Sequence, residues 1–494
     1  MRSLWQDRAE PLGSDELHAG AHYDAVVAGA GITGLTAAVL LARAGRTVAV
    51  VEARRPGALT TGGTTGKVSL LQGSMLSTVR QHHNDDVLRA YVQGNLEGQQ
   101  WLQRYMDERG VPYQTRTAWT YAEAQDAMGI LGEEHAACVA AGLDVTRADA
   151  LELPFRTAGA IRLDGQVQVD AMDVLAALAA ELRQRGGALI QGVRLTGADI
   201  ARARRGGPVE AVTDHGRLTA DRLILATGTP VLNRGARFAL LEPSRAFAAA
   251  FSGAEHHEGF PQGMYLSLDS PSRSLRSVPP LPGRPEAHGA DDGGPRLVAV
   301  GGGFAVGSTG TGRHRSDLLD WVRERFPGTR PTHVWAAQDY IPVTGVPLVG
   351  ALPGTGGRIH AATGFGKWGL ANGVAAALSI SADILGGNIP WSRELYGAGV
   401  SGRDAQEAAR FNAGVAGRLA AGWAKSLVAE RHRPVGDCEV GGVKHRVSRV
   451  CTHLGGVLQW NDAEKTWDCP LHGSRFSCDG GVLEGPATKP LRRG

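Results

Sequence analysis

The hydrophobic positions at the start of the chain form two strand-like runs with a helical pattern between them. The run Y-D-A-V-V-A leads to Gly29, a helical pattern continues to about Ala44, and a second apolar run ends at Glu52. Short apolar runs bounded by glycine are typical of buried parallel strands, which need a helix as their crossover. The pattern therefore predicts a β-α-β unit.

Later parts of the chain change between helical and strand-like patterns. Residues from about Asp85 to Ala141 read as mostly helical, and Asp170 is a plausible N-cap for another helix before further strands. Short alternating stretches from 238 to 334 predict an inserted antiparallel sheet. A strand and an apolar helix then return to the first domain, and an amphipathic helix follows around Ala405 to Glu430.

These changes give the predicted domain organisation, because 494 residues are too many for one core. The segments are an N-terminal extension at 1–22, a nucleotide-binding domain at 23–237 and 335–395 with a helical insert at about 85–141, a substrate or cap domain at 238–334, a linker helix at 396–432 and a small domain at 433–494.

Composition excludes several classes of protein. The chain is 43% hydrophobic and 20% charged, with a net charge of +3 and no run of like charges, so no nucleic-acid partner is expected. The N-terminus carries acids and no apolar stretch, which argues against a signal peptide. The most apolar later run, Val374 to Leu385, is short and contains Asp383, so no membrane span is expected.

The first β-α-β unit contains a dinucleotide fingerprint, Gly29-x-Gly31-x-x-Gly34, with Glu52 twenty-one positions after the second glycine. Gly29 permits the tight turn, Gly31 lets the backbone approach a pyrophosphate, and Gly34 lets helix and strand pack closely. Glu52 would accept hydrogen bonds from a ribose. An ordinary glycine-rich turn in a parallel sheet is the alternative.

A second motif lies near the C-terminus, where Cys451 and His453 form C-x-H and Cys469 and His472 form C-x-x-H, fifteen residues further on. Two cysteines and two histidines paired in this way match a Rieske [2Fe–2S] centre, in which the two cysteines bind one iron and the two histidines bind the other. A zinc site is the competing hypothesis, although zinc fingers usually separate the cysteine pair from the histidine pair. The third hypothesis is that these cysteines and histidines are unrelated loop residues.

The other cysteines, Cys138, Cys438 and Cys478, are scattered and predict no disulfide framework. A reducing, cytoplasmic setting is therefore the expectation.

Residues 23 to 390 resemble the FAD-dependent oxidoreductases of the D-amino-acid oxidase, glycine oxidase and sarcosine oxidase type. The resemblance rests on the fingerprint, on Ala226-Thr227-Gly228 and on T-G-F-G-K-W-G-L-A-N-G at 363 to 373. P-S-R-S-L-R-S at 271 to 277 and W-A-A-Q-D-Y at 335 to 340 are similar to a bacterial branch with a C-terminal Rieske module. The implied fold class is α/β: a glutathione-reductase-like, Rossmann-like FAD domain with an inserted antiparallel sheet, plus a small all-β Rieske domain.

The resemblance also implies site residues. The turn before the last helix of the FAD domain would lie against the flavin pyrimidine and supply amides, a helix dipole and the ammonium of Lys367, although a surface lysine is an equal alternative. The expected FAD contacts are Gly29, Gly31, Gly34, Glu52, Ala53, Thr64, Thr65, Lys67, Val193, Ala226, Thr227, Gly228, Gly364, Gly366, Lys367, Trp368, Gly369 and Leu370.

Departures from the relatives refine these expectations. Members with covalent flavin use a Cys or His near the ring, and T-T-G-G-T-T-G-K and A-A-Q-D-Y contain neither, so non-covalent FAD is expected. Respiratory Rieske proteins carry a disulfide between the cluster loops, where this chain has Gly456 and Leu471. Ser474 can still bond a cluster sulfur, but Phe476 replaces a tyrosine, which predicts a potential below the top of the Rieske range.

A two-electron flavin and a one-electron cluster in one chain indicate an oxidoreductase. The leading hypothesis is oxidation of a C–H bond next to nitrogen in an amine or amino acid, with electrons passed between FAD and cluster. Arg273 and Arg276 are candidates for holding a carboxylate, and Gln338, Asp339 and Tyr340 for lining the ring; packing roles are the alternative for each.

Two rival hypotheses remain open. In the first, a ferredoxin, reductase or other one-electron partner feeds the cluster, which reduces FAD for a reductive or oxygen-activating reaction on a small molecule. In the second, the chain is a non-catalytic redox carrier. The inserted sheet domain, which suits covering a flavin face, argues against the carrier.

Overall fold

The structure is a computed structural model that describes residues 1–232, 237–253, 260–280, 294–398, 402–430 and 434–493. Its α-helices are α1 (Leu4–Arg8), α2 (Ile32–Arg43), α3 (Thr60–Gly63), α4 (Met75–His82), α5 (Asp85–Arg109), α6 (Met128–Ala140), α7 (Ala171–Gln184), α8 (Ile200–Arg204), α9 (Gly312–Arg325), α10 (Gly369–Ile384), α11 (Pro390–Tyr396) and α12 (Gly402–Glu430).

The β-strands are β1 (His22–Ala28), β2 (Val48–Glu52), β3 (Lys67–Val68), β4 (Tyr113–Ala122), β5 (Thr146–Ala148), β6 (Gly159–Val169), β7 (Ala188–Gln191), β8 (Leu195–Asp199), β9 (Val209–Thr213), β10 (Gly216–Leu225), β11 (Leu241–Gly253), β12 (Met264–Ser267), β13 (Arg273–Val278), β14 (Arg296–Ala305), β15 (Thr329–Pro342), β16 (Leu348–Ala351), β17 (Ile359–Thr363), β18 (Val435–Val440), β19 (Val443–Ser448), β20 (Gln459–Asn461), β21 (Thr466–Asp468), β22 (Arg475–Phe476) and β23 (Val482–Glu484).

The predicted β-α-β unit lies at the centre of the first sheet, whose order is β16-β17-β10-β1-β2-β7. Strand β1 pairs in parallel with both β2 and β10 and is buried over its last four residues. Helices α2, α7 and α10 pack as one layer on this sheet, with Leu35, Val39 and Val374 fully buried. This is the expected architecture for a dinucleotide-binding domain.

The second sheet has nine strands in the order β15-β11-β14-β13-β12-β4-β6-β3, with β5 beside β6. The sequence analysis predicted the core of this sheet at 238 to 334. It also read residues 85–141 as mostly helical; α5 and α6 make up most of that range, and β4 lies between them. Strand β4 joins the sheet because its residues from Ala118 to Ala122 are largely buried against β6 and β12.

Strand β15 crosses another predicted boundary. Its residues Val334 to Pro342 belong to the second sheet through pairing with β11, although the sequence analysis assigned the chain from 335 onward to the nucleotide-binding domain. The predicted N-terminal extension is likewise part of the body, since Leu4 and Trp5 are buried. The two sheets therefore share the cavity described below.

The C-terminal module, residues 434–493, consists of the β18–β19 hairpin and the four-stranded sheet β20-β21-β22-β23. Helix α12 leads into it where the sequence predicted an amphipathic helix, and Trp423 Nε1 donates to the Gly455 carbonyl at 3.0 Å. This confirms a small all-β domain at the C-terminus.

A disulfide joins Cys438 on β18 to Cys478 just after β22. The expectation that no scattered cysteine would pair is therefore wrong for these two, and Cys138 is free and buried. Sequence spacing did not reveal the pair because the two cysteines are 40 residues apart and approach only when the hairpin folds over the sheet. The cytoplasmic setting stays a prediction.

The C-terminal module packs directly on the body of the protein. Asp462 accepts hydrogen bonds from Thr311 N at 2.8 Å and Gly312 N at 3.2 Å at the start of α9, where a carboxylate also meets the positive end of the helix dipole. Arg194 donates to the Val482 carbonyl at 2.8 Å. Within the described residues no helix is long and apolar enough to cross a membrane.

Candidate functional site

The fingerprint turn is shaped by backbone contact. Gly29 has φ +106°, and a Cβ there would collide with the Ala226 carbonyl oxygen, so only glycine fits. A Cβ at Gly34 would collide with the Gly29 carbonyl oxygen in the same way. Because the backbone is this close, the N-terminus of α2 faces the end of β1, where a pyrophosphate binds in such folds.

Glu52 lies at the end of β2 beside this turn. Its carboxylate accepts hydrogen bonds from Ala30 N and Arg54 N, both at 2.9 Å. Burial raises the pKa of Glu52, and the two N–H donors together with the nearby Arg194 and Arg54 guanidiniums act in the opposite direction. The carboxylate is thus fixed in orientation at the end of the cavity where a ribose hydroxyl is expected.

The turn before α10 forms the other end of the site. Lys367 has φ 75°, a left-handed conformation that costs energy for a residue with a side chain. The Asp339 carboxylate accepts a hydrogen bond from the Lys367 backbone N–H and one from Tyr340 N at 2.7 Å. Burial raises the pKa of Asp339 to about 6. Asp339 therefore holds the strained turn at the N-terminus of α10.

A single cavity of 320 Å³ extends between these two ends. Most of the predicted site residues line it. They are Gly29, Gly31, Glu52, Ala53, Thr64, Thr65, Lys67, Ala226, Thr227, Gly228, Gln338, Asp339, Tyr340, Gly364, Lys367, Trp368, Gly369 and Leu370.

Five predicted residues do not line the cavity. Gly34, Val193 and Gly366 lie behind its wall, where Val193 N donates to the Glu52 carbonyl at 3.0 Å. Arg273 packs over the Trp321 ring, and Arg276 donates to the Thr65 carbonyl at 2.7 Å and packs over the Trp5 ring. The two arginines were proposed to hold a carboxylate, and neither is among the residues that line the cavity.

The cavity also contains residues that sequence reasoning missed. Thr60, Thr61, Arg194, Ser244, Ser272, Ser274 and Phe365 belong to the same wall, as do Leu483, Glu484 and Gly485 of the C-terminal module. Thr60 and Thr61 lie in the glycine- and threonine-rich segment that the sequence marked as able to wrap a dinucleotide. Nothing in the sequence indicated the module residues, because they are more than 100 positions from every other lining residue.

Lys67 lies in the cavity wall beneath the second sheet. Its Nζ donates to the Tyr265 carbonyl at 2.8 Å and to Ser274 Oγ at 2.7 Å. Burial lowers the pKa of Lys67 well below its ordinary value, and the nearby Arg276 charge lowers it further. The Lys67 amine thus orients the Ser274 hydroxyl at the cavity surface.

Gln338 and Tyr340 lie where the cavity meets the C-terminal module. Gln338 Nε2 donates to Tyr340 Oη at 2.8 Å and to the Gly473 carbonyl at 2.9 Å. Tyr340 Oη donates in turn to the Gly485 carbonyl at 3.3 Å. Both residues thus contact the cavity and the module at the same time.

The four predicted metal ligands lie as two pairs in the C-terminal module. Cys451 and Cys469 are buried and hydrogen-bonded to each other through their thiols. The rings of His453 and His472 lie 5.4 Å apart, and both pack edge-on against Phe238 of the body. The loops therefore place the two sulfur ligands together and the two imidazoles together, as a Rieske centre requires.

The chemistry of this donor set also fits a Rieske cluster. The hydrogen bond from the Cys469 thiol lowers the pKa of Cys451, against the opposing effect of burial. Burial lowers the pKa of His453 and of His472 to about 4, so both imidazoles are neutral and able to bind a metal. His472 Nδ1 is buried and has no hydrogen-bond partner among the described residues, as a nitrogen reserved for iron would be.

The similarity of the chain to known protein families agrees with this geometry. Residues 24–382 match the model of the family described as FAD dependent oxidoreductase. The chain belongs to that family. Residues 427–493 match the Rieske [2Fe-2S] domain. The cofactors of this FAD-dependent oxidoreductase are therefore FAD and a Rieske [2Fe–2S] cluster, as the sequence predicted.

A relative of the same layout is the Rieske 2Fe-2S iron-sulfur protein YhfW of Bacillus subtilis (strain 168), 27% identical over 499 residues that cover 95% of this chain and 93% of that protein. The cytochrome b6-f complex iron-sulfur subunit of Gloeobacter violaceus is 49% identical over 45 residues, which are 9% of this chain and 24% of that protein. The second match is confined to the cluster module.

Solved structures agree on the fold of the FAD-dependent part. Glycine oxidase from Geobacillus kaustophilus superposes with a TM-score of 0.60 and 16% identity, covering 77% of this chain and 99% of that chain. L-Amino acid deaminase from Proteus myxofaciens gives a TM-score of 0.59 and 14% identity, covering 79% and 96%. At these identities the likeness establishes the fold, and it confirms the predicted fold class.

Proposed function

We propose that this FAD-dependent oxidoreductase oxidises a C–H bond next to nitrogen in an amine or amino-acid-like small molecule, with electrons passed between FAD and the Rieske cluster. The observation that carries the proposal is the shared cavity: its wall contains the fingerprint turn, the Lys367 turn and residues 483–485 of the cluster module. The names of the structural neighbours, glycine oxidase and L-amino acid deaminase, support the substrate class.

When bound, FAD supplies a hydride acceptor and the cluster supplies one-electron exchange with it. The protein supplies position and electrostatics. The backbone N–H groups at the start of α10 and the Lys367 ammonium favour negative charge at their end of the cavity. Asp339 keeps those groups in place through the Lys367 N–H.

The wall beneath the second sheet is suited to a small substrate. Leu266, Val300 and Ala248 are apolar, while Ser272 and Ser274 add hydroxyls. These groups exclude water from the reacting carbon and leave hydrogen-bonding partners for a nitrogen substituent.

The placement of the arginines favours amines over amino acids within the proposed class. The arginines among the lining residues, Arg54 and Arg194, lie beside Glu52 at the ribose end. Arg273 and Arg276 are packed against Trp321 and Trp5 instead. A substrate carboxylate would thus have no guanidinium partner under the second sheet among the described residues.

The test is anaerobic rapid mixing of the fully loaded enzyme with amines and with the α-amino acids that carry the same side chains. We expect at least one amine to bleach the flavin absorbance, and to do so faster than its amino-acid counterpart. If no amine or amino acid in the panel bleaches the flavin, the substrate assignment is wrong. Reduction of the enzyme by a ferredoxin without substrate would instead favour electron entry through the cluster.

A further inference from the structure

Gln338 contacts both cofactor sites. Its Nε2 donates to the Gly473 carbonyl at 2.9 Å, and Gly473 directly follows the cluster ligand His472. The backbone carbonyl of Gln338 accepts a hydrogen bond from Thr60 Oγ1 at 2.7 Å, and Thr60 lines the FAD cavity. Gln338 itself is only 2% exposed. One residue therefore touches the FAD wall with its backbone and the cluster loop with its side chain.

A second contact runs from Gln338 to the module strand that closes the cavity. Gln338 Nε2 also donates to Tyr340 Oη at 2.8 Å, and that hydroxyl lies 3.3 Å from the Gly485 carbonyl. Gly485 belongs to the cavity wall together with Leu483 and Glu484. A displacement of the Gln338 amide would thus change hydrogen bonds at the cluster loop and at the cavity wall.

Packing at Gly473 leaves little freedom for adjustment. Gly473 has φ +82°, and a Cβ there would lie 2.7 Å from both Gln338 Nε2 and Pro243 Cβ. Phe238 packs against the His472 ring with centroids 4.9 Å apart. The ligand loop is thus clamped against the body on the side that faces the FAD cavity.

Buried charges hold the module in the same place. Arg245 on β11 is 1% exposed and its Nη2 lies 2.6 Å from Glu464 Oε1, while Arg475 Nη2 contacts the same oxygen at 2.9 Å. Arg245 Nη1 also lies 3.5 Å from Gln338 Oε1. Separating the module from the body would leave the buried Arg245 guanidinium without Glu464 and Glu484, which favours the docked arrangement.

We propose that Gln338 is a positioning residue that couples the two cofactor sites. It fixes the His472 loop and, through Tyr340, the 483–485 wall, so that occupancy of the cluster site strengthens FAD binding. By thermodynamic reciprocity, bound FAD stabilises the cluster loop by the same factor. The proposal concerns cofactor binding and holds for either direction of electron flow.

The first test is Gln338→Leu in the full-length protein, with Gln459→Leu on the half-buried strand β20 as the matched control. We expect the dissociation constant for FAD, measured by flavin fluorescence, to rise about tenfold in Q338L, within the usual range for coupled sites. Hydrogen exchange of the peptide that contains Gly473 should become about tenfold faster. Values equal to those of Q459L would overturn the proposal.

The second test is a double-mutant cycle with Cys451→Ser, which removes a cluster ligand without touching the FAD cavity. In the wild-type background, loss of the cluster should weaken FAD binding about tenfold, whereas in Q338L it should add less than about twofold. Equal effects in the two backgrounds would show that Gln338 does not carry the coupling.

If Q338L does not fold, Tyr340→Phe tests the same coupling, because it removes only one hydroxyl. The expected result is weaker FAD binding by about threefold with cluster content unchanged. No substrate enters any of these measurements. Failure of the amine assignment and failure of the coupling are therefore distinguishable.

Discussion

The fingerprint end of the FAD cavity and the module end, where the C-terminal module meets the body, are built in different ways. At the fingerprint end, Gly29 and Gly34 bring backbone against backbone, and almost no side chain takes part. At the module end, Arg245, Glu464 and Arg475 meet as buried charged side chains from distant parts of the chain. The fingerprint end is stable only without a Cβ at these glycines, and the module end is stabilised by pairs of opposite charges.

This difference determines how each end tolerates change. A backbone turn fails when an atom is added, because the interior is close-packed and the neighbouring carbonyl cannot move away. A buried charge network fails when a partner is removed, because an unpaired charge in a region of low polarity is costly. Burial raises the pKa of Glu484, while the Arg475 and Arg245 charges oppose that rise. The charged form of Glu484 is therefore stabilised by both arginines.

The largest effect is expected from Arg245→Leu. The change removes the guanidinium that contacts Glu464 and Glu484, and we expect a loss of about 3 to 5 kcal/mol in the free energy of unfolding. Urea denaturation of the full-length protein measures it. The matched control is Arg323→Leu, which breaks the exposed pair with Asp320 and should cost less than about 1 kcal/mol. Equal losses in the two variants would contradict a charge-dependent module end.

Cys438→Ser should have the next largest effect. The disulfide to Cys478 spans 40 residues, and its loss should destabilise the C-terminal module by about 2 to 4 kcal/mol. Thermal unfolding followed by the cluster absorbance measures it. Reductant should lower the melting temperature of the wild type and leave the C438S variant unchanged. A reductant effect of the same size in both would rule out a role for this bridge.

Gly29→Ala tests the fingerprint end. The added Cβ meets the Ala226 carbonyl, and φ +106° is unfavourable for alanine, so we expect FAD affinity to fall about 100-fold, roughly 2.7 kcal/mol. Flavin content and fluorescence titration measure it, with cluster absorbance unchanged. Gly132→Ala in α6 is the control, because a Cβ there meets no atom within 4 Å. Normal FAD binding by G29A would show that the turn is not limited by backbone contact.

Local motifs of the site could be predicted from the sequence, whereas contacts between distant parts of the chain could not. The fingerprint and the C-x-H and C-x-x-H loops are local, so residue spacing was enough to predict them, whereas the Lys367 turn was predicted from the family resemblance. The carboxylate role of Arg273 and Arg276 stays a prediction; their packing on Trp321 and Trp5 joins distant parts of the chain, so residue spacing gave no sign of it. Strand β4 was missed because burial against β6 and β12 overrides its local pattern.

By itself the sequence determined the β-α-β unit, the need for glycine at the turn and the family, and it predicted the four cluster ligands. Each of these depends on backbone geometry or ligand chemistry within a few residues. Only the tertiary structure decided that Leu483 to Gly485 wall the FAD cavity, that Gln338 reaches Gly473, and that Cys438 meets Cys478. Those contacts join positions 40 or more residues apart, and long-range packing selects them without leaving a periodic signal in the chain.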